Sequence, residues 1–276
     1  MGVLDEFQLD GKVAVVTGGG GVLGSGIAEG LAAAGAKVAV GDLLPDMAQA
    51  CVDRITASGG TAMGMKVDMF DRETVEACRD AVLNEYGRID ILLNAVGGNM
   101  AGATVTPDQS FFDLDPGALE KVVNLNLMGG ALVPAQVLGK AMLDNPEGGS
   151  IINVSSMCAF RPLTRVLGYS AAKAAVSNFT QWLSVHLAQE YSPKLRVNAI
   201  APGFFLTEQN RFLLTDKETG APTPRGESII AHTPMGRYGT PDDLVGTVLW
   251  LAGDASRFVT GIVIPIDGGF SAFSGV

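Results

Sequence analysis

Tyr169 and Lys173 stand four residues apart in the run Tyr169-Ser170-Ala171-Ala172-Lys173, and Ser156 lies thirteen residues before the tyrosine. On a helix, positions i and i+4 share one face, so a phenol and an ammonium at this spacing can meet. A free tyrosine titrates near ~10, and a neighbouring cation favours its phenolate. The expectation is therefore a phenol tuned for general acid/base work near neutral pH. Tyr-x-x-x-Lys by itself is also a common surface-helix pattern, and its company has to decide. The second stretch suited to chemistry is Thr17-Gly18-Gly19-Gly20-Gly21-Val22-Leu23-Gly24. Glycines let a backbone approach a pyrophosphate, and a helix amino terminus adds free N–H groups and a favourable dipole.

These groups need a scaffold, and the chain supplies an alternation of short β-rich runs with longer helical patterns. That rhythm predicts a parallel sheet covered on both faces. Residues 12–17 read as a buried first strand, followed by the glycine turn and a helix with Leu23, Ile27 and Leu31 at four-residue spacing and Gly35 near its end. Residues 37–40 form a second strand ending near Asp42, and Met47, Cys51 and Ile55 give the next helix its apolar stripe. Further strands are expected at 62–67, 89–94, 150–154, 195–200 and 261–266, with a helix from about Asp71 to Tyr86. Pro265 puts the last strand near a strand end or an edge. The one irregular region, about 204–240, reads as an active-site lid. The predicted fold is α/β: one Rossmann-type doubly wound domain over 1–276, with about seven parallel strands.

Composition narrows the function. The net charge of −10 lacks the positive footprint that non-specific nucleic-acid binding requires. Cys51, Cys78 and Cys158 show no ligand spacing, and only His186 and His232 could join them, so no metal site is expected. His186 reads as a structural helix residue. Scattered thiols suit a reducing cytoplasm. The acidic amino terminus lacks a signal-peptide pattern, and no uninterrupted apolar run approaches the ~18 residues of a membrane span. The expectation is a cytoplasmic protein with no membrane partner.

Asp42 lies eighteen residues after Gly24, where a carboxylate can accept hydrogen bonds from adenosine ribose hydroxyls. It would repel a 2′-phosphate, and no arginine follows it, so NAD is preferred over NADP. Lys37 is the one residue arguing the other way.

Over nearly its whole length the chain resembles the short-chain dehydrogenase/reductase family. Thr17, Gly18 and Gly24 match the family's glycine-rich turn, with Val22 at the middle glycine position and Gly21 as the substitute for close backbone approach. The resemblance implies a cofactor site of Gly18, Gly21, Leu23, Gly24, Asp42, Asp68, Met69, Asn94, Gly97, Tyr169, Lys173, Pro202, Gly203 and Thr207. Asp68 could equally be a helix cap, and Asn94 a strand-end hydrogen bonder. The resemblance also implies the catalytic set Asn126, Ser156, Tyr169 and Lys173. In that set Ser156 would hold the substrate carbonyl, and Tyr169 would exchange the proton. Lys173 would lower the tyrosine pKa and bind the nicotinamide ribose. Asn126 would fix a helix irregularity and a water relay to Lys173. The thirteen-residue gap favours Ser156 over Ser155, and the Leu and Gly offsets favour Asn126 over Asn124. A homotetramer, or a dimer, is what the family implies for assembly.

For substrate, Arg161 and Arg165 lie between Ser156 and Tyr169, and a guanidinium can hold a carboxylate bidentately. Surface salt bridging is the competing reading. Asn99, Gln209, Asn210 and Arg211 add polar groups suited to sugar hydroxyls. The segments 157–165, 204–211, 231–237 and 268–276 resemble the short-chain type of D-mannonate oxidoreductase, or fructuronate reductase. That resemblance implies reversible reduction of D-fructuronate to D-mannonate. Gluconate 5-dehydrogenase, 3-oxoacyl-thioester reduction and a non-catalytic dinucleotide sensor stay open. The tail Gly269-Phe270-Ser271-Ala272-Phe273 fits a buried terminus, a subunit contact or a core strand end.

Overall fold

Val13-Ala14-Val15-Val16-Thr17 is buried at every position, because the strand it forms (β1, Val13–Thr17) is covered on both faces. The computed structural model describes residues 2–207, 210–217 and 219–275, the Phe212 side chain excepted. After β1 come α1 (Val22–Ala33), β2 (Lys37–Asp42), α2 (Pro45–Ala57), β3 (Thr61–Lys66), α3 (Arg72–Tyr86) and β4 (Ile91–Asn94). The second half runs through α4 (Pro116–Val123), a π-helix (Asn124–Leu132), α5 (Val133–Val137), β5 (Gly149–Val154) and α6 (Leu167–Glu190). It ends with β6 (Leu195–Pro202), α7 (Arg211–Leu214), α8 (Pro224–Ala231), α9 (Asp242–Ala252) and β7 (Val263–Ile266). The seven strands are parallel in the order β3-β2-β1-β4-β5-β6-β7.

Alternation along the strands divides the core. Ala14 and Val16 of β1, Ile91 and Leu93 of β4 and Ile152 of β5 face α1, α2 and α9. Val13 and Val15, Leu92, Ile151 and Val197 face α3, α5 and α6. Only β3 and β7 have an edge, and they are the least buried strands. Pro265, which has no N–H to give, sits exposed in β7.

Three expectations shift. β4 begins at Ile91, not at residue 89; just before it the Asp90 carboxylate accepts from the Val13 N–H at 2.9 Å and from the Arg88 guanidinium. The 204–240 region carries two short helices, α7 and α8, the second started by the Thr223 hydroxyl accepting from the Gly226 N–H. The continuous helical run Pro116–Met142 is 27 residues long and apolar enough, by length and composition, to cross a membrane, contrary to the reading of uninterrupted runs alone. It packs inside the domain against α6.

Candidate active site

The strand order reverses between β1 and β4, whose outward neighbours are β2 and β5. In an open α/β sheet, the crevice outside the carboxyl ends of such strands receives the ligand. Thr17, Asp42, Asn94, Val154 and Pro202 all end strands there.

On the β1–β2 side the glycine turn is built to admit a phosphate. Gly18 adopts φ +64°, open to glycine at little cost, and a Cβ on Gly24 would lie 2.3 Å from the Gly18 carbonyl oxygen. Gly21 caps α1 with no side-chain hydrogen bond, and a Cβ there would meet nothing nearer than 3.4 Å, so the face toward the helix N–H groups is open. Val22 is the first residue of α1. The Asp42 carboxylate accepts from Gly20 N at 3.0 Å and Leu44 N at 3.0 Å, which fixes it beside the turn with lone pairs to spare. Lys37 begins β2 at its far end, where its ammonium lies 5.4 Å from the Tyr86 ring centroid, so it has no place beside Asp42. Asp68 accepts from Phe70 N and Met69 is buried beneath it. This open, amide-lined turn with a fixed carboxylate fits an adenine dinucleotide.

Asn94 ends β4 and hydrogen-bonds across the strands. Its side chain is fully buried and donates to Asn153 Oδ1 at 2.9 Å; Asn153 Nδ2 in turn donates to Thr180 Oγ1 at 2.9 Å. The amide therefore ties β4 to β5 and α6. Its Oδ1 has no partner.

On the β4–β5–β6 side the chemical groups converge. The Ser156 hydroxyl lies near enough to the Tyr169 phenol to influence its titration and accepts from Cys158 N at 3.3 Å. Ser155, by contrast, is buried, its hydroxyl spent on the Lys173 carbonyl and Ser177 Oγ. Lys173 is 3% exposed; its ammonium lies 5.7 Å from the Tyr169 ring centroid and donates to the Val154 carbonyl at 2.8 Å. Asn126 lies in the π-helix, fully buried, and donates to the Val122 and Gly98 carbonyls while accepting from Gly98 N. The helix irregularity is thus present at this residue. Gly97 closes the cluster: a Cβ there would fall 2.6 Å from Asn126 Oδ1 and 2.9 Å from Lys173 Nζ.

Burial holds the Tyr169 phenol above its ordinary range, and the Cys158 thiol adds to this while Ser156 opposes it. Burial pushes Lys173 itself down to about 8, and its directed bond goes to a carbonyl and not to the phenol.

Several expected substrate groups are committed elsewhere. Arg161 donates to the Phe273 carbonyl at 2.9 Å, Asn99 to Thr104 Oγ1 at 2.7 Å, and Asn210 to the Phe205 carbonyl while accepting from Thr207 N. Gln209 lies outside the described residues. Arg211 has an interaction of its own. Gly203 N donates to the Ile266 carbonyl, fixing the Pro202-Gly203 corner. The tail is not a strand end: Asp267 accepts from Gly269 N and Ser271 N, Phe270 packs on Phe204, and Phe273 on His232. His186 stacks on Trp182. Sequence reasoning missed Val154, Asn153, Thr180 and Cys158; the signal for Asn153 was a polar residue inside an otherwise apolar strand.

Comparison with known proteins agrees with this architecture. A family model described as enoyl-(acyl carrier protein) reductase matches residues 21–271. An uncharacterized oxidoreductase of Bacillus subtilis is 48% identical over 98% of both chains. The 2-dehydro-3-deoxy-D-gluconate 5-dehydrogenase of Escherichia coli is 33% identical over 98% of this chain and 99% of its own. A candidate D-mannonate oxidoreductase from Haemophilus influenza, solved with bound NAD, superposes with a TM-score of 0.89 at 44% identity, covering 98% of each chain. The chain belongs to the short-chain dehydrogenase/reductase family and is an oxidoreductase acting on alcohol and carbonyl groups with NAD(P).

Proposed function

We propose that the enzyme interconverts a sugar-acid alcohol and its ketone with NAD, the pair being D-mannonate and D-fructuronate. The observation that carries the reaction is the Lys173 ammonium, held on the Val154 carbonyl at 2.8 Å and 5.7 Å from the Tyr169 ring centroid, with the Ser156 hydroxyl just past the end of the same strand. The nicotinamide cofactor, when bound, would supply the hydride acceptor for oxidation as NAD and the hydride donor for reduction as NADH. In reduction the protonated Tyr169 gives its proton to the forming alkoxide and is left as the phenolate; in oxidation the phenolate takes the alcohol proton and is left as the phenol. Ser156 holds the same oxygen in place. Lys173, anchored on the Val154 carbonyl, would have its remaining N–H groups free to hold the nicotinamide ribose. Asn126 holds Gly98 and so the wall of the crevice.

The proposed cofactor contacts are Gly18, Gly21, Leu23, Gly24, Asp42, Asp68, Met69, Gly97, Tyr169, Lys173, Pro202, Gly203 and Thr207, with Asn94 reassigned to support. The Asp42 carboxylate favours NAD over NADP. The mannonate assignment draws support from the Haemophilus relative with its bound NAD. The Escherichia coli relative supports a second reading, a 5-dehydrogenase of gluconate-type acids. Cytoplasmic location and a homotetramer or dimer complete the proposal.

Purified enzyme should reduce NAD when given D-mannonate. No rate on mannonate beside a good rate on gluconate would select the second reading. Turnover of 3-oxoacyl thioesters alone would reject both.

A further inference from the structure

Beyond β7 the described residues form no further strand, yet the tail is fixed at several points. Gly268 and Gly269 adopt φ +64° and +90°, which cost glycine little and turn the chain sharply. The turn is pressed on the segment that follows α8. A Cβ on Gly268 would lie 2.8 Å from Thr233 Cγ2, and one on Gly269 would lie 3.0 Å from Pro234 Cγ. The Met235 N–H donates to the Gly268 carbonyl at 3.1 Å, and the Phe270 and Phe204 ring centroids are 5.1 Å apart.

Phe273 then joins two parts of the fold that are remote in sequence. Its ring lies edge-on to the His232 ring, with centroids 6.3 Å apart. His232 is the C-cap of α8, and its Nδ1 donates to the Ser228 carbonyl at 2.7 Å. The Phe273 carbonyl accepts from Arg161 Nη1 at 2.9 Å. Arg161 closes the turn that Ser156 opens. The Ser156 hydroxyl accepts from Cys158 N and its carbonyl from Ala159 N, while the Met157 carbonyl accepts from Phe160 N and Arg161 N. One tail residue thus holds the serine turn through its backbone and touches the end of α8 through its ring. Arg161 is exposed and bonds no carboxylate among the described residues, so this carbonyl is what orders its side chain.

We propose that the tail over 267–273 is a strap that sets α8 against the turn carrying Ser156, and that Arg161 is the positioning residue that fastens it. Neither Arg161 nor Phe273 has to touch the reacting atoms. Ser156 holds a substrate oxygen only when its turn is in place, and a small displacement of a positioned group costs rate steeply. The strap also links the two segments mechanically: loosening at Arg161 reaches α8 through Phe273. The inference rests on Ser156 and Tyr169 being the reacting centre.

Amide hydrogen exchange in the full-length protein reads the strap without any substrate. Arg161→Ala should speed exchange within α8 by about 3- to 10-fold, as expected for one lost hydrogen bond, although the substitution lies on another segment. Exchange in α3 is the control and should stay within about twofold of wild type. Arg161→Lys keeps a donor and should restore part of the protection. Phe273→Ala breaks the other link and should act alike, and the double variant should show less than the product of the two single effects. With NAD and the hexonate that the wild type oxidises, Arg161→Ala should lower kcat/KM by a factor similar to that in exchange, while NADH affinity holds. An α8 rate that stays at the wild-type value overturns the strap, as does a rise shared equally by α3, which would mark a general loss of stability. Full additivity of the two variants overturns it too, because the contacts would then be independent. Faster α8 exchange beside an unchanged kcat/KM overturns the positioning role of Arg161. Should Ser156→Ala keep full turnover, the reading of the reacting centre falls alone, and exchange in α8 still decides the strap.

Discussion

The Lys173 ammonium lies 5.7 Å from the centre of the Tyr169 ring and is bonded to the Val154 carbonyl, so the pair is held by α6 on one side and the end of β5 on the other. Proton exchange is thereby left to the phenol itself. Tyr169→Phe removes only the hydroxyl, and turnover should fall by about 100- to 10,000-fold. NADH binding, followed by fluorescence, should change less than threefold. A variant that keeps its turnover would move the proton to another group; one that keeps its function in the cell without turnover would favour a dinucleotide sensor.

Burial of this pair has a pH signature in stability. The folded protein releases the Lys173 proton near pH 8, whereas an unfolded chain keeps it until about 10.5. Between those values the unfolded state binds more protons, so stability should rise with pH. Tyr169 acts in the opposite sense: its raised value lets the folded state keep a proton that the unfolded chain loses near 10, so stability falls above that. Urea midpoints measured from pH 7 to 11 should rise only between about 8 and 9 and turn over above that, because the buried Cys51, Cys78 and Cys158 thiols, raised from 9.0, join Tyr169 in holding protons that the unfolded chain loses. Lys173→Met should abolish the rising limb, and a rise that survives in this variant would assign it to another group.

Gly97 separates a folding role from a functional one. A methyl group there meets Asn126 Oδ1 and Lys173 Nζ, two side-chain ends and no backbone. The backbone can stay while the side chains are displaced. Gly97→Ala should therefore cost more activity than stability, with kcat/KM falling at least about tenfold and the urea midpoint changing by less than the equivalent of ~2 kcal/mol. Cooperative unfolding at much lower urea, in parallel with the activity, would contradict this.

The sheet and the centre of the site were legible in the sequence because backbone rules act locally. Buried apolar runs marked the strands, and the i, i+4 spacing marked the face of α6. The outer site was less legible, since sequence fixes where a side chain starts and not what it reaches. Arg161 looked like a substrate ligand until the tail, 112 residues away, took its guanidinium. Asn94 looked like a cofactor contact, although its neighbour across the sheet is Asn153 and two buried amides at one register level bond each other. The start of α8 was signalled by Thr223 followed by Pro224, a cap and a first-turn proline, inside a region rich enough in turn residues to read as loop.

Cofactor choice should turn on Asp42. Its two oxygens accept from Gly20 N and Leu44 N, which holds the negative charge beside the adenosine end of the crevice. Asp42→Ser retains a hydrogen-bonding group and removes the charge. The ratio of kcat/KM for NAD to that for NADP should fall by about 10- to 100-fold, through both a weaker ribose bond and relief of repulsion. An unchanged ratio would place the discrimination elsewhere in the turn.

The chain Asn94–Asn153–Thr180 makes a prediction about stability alone. Thr180 Oγ1 accepts from Asn153 Nδ2 and donates to the Val176 carbonyl, and all three side chains are fully buried. Thr180→Val keeps the shape and removes the acceptor, leaving a buried amide N–H unpaired at a cost of about 1–3 kcal/mol. Thr180→Ser keeps the oxygen and loses one methyl, so it should cost about 1 kcal/mol or less. Chemical denaturation should rank wild type and serine above valine. Equal stability of the valine and serine variants would mean that Asn153 finds another acceptor, and the unpartnered Asn94 Oδ1 is the nearest one in the network: a flip of the Asn153 amide, coupled to one of Asn94, would expose it as the alternative.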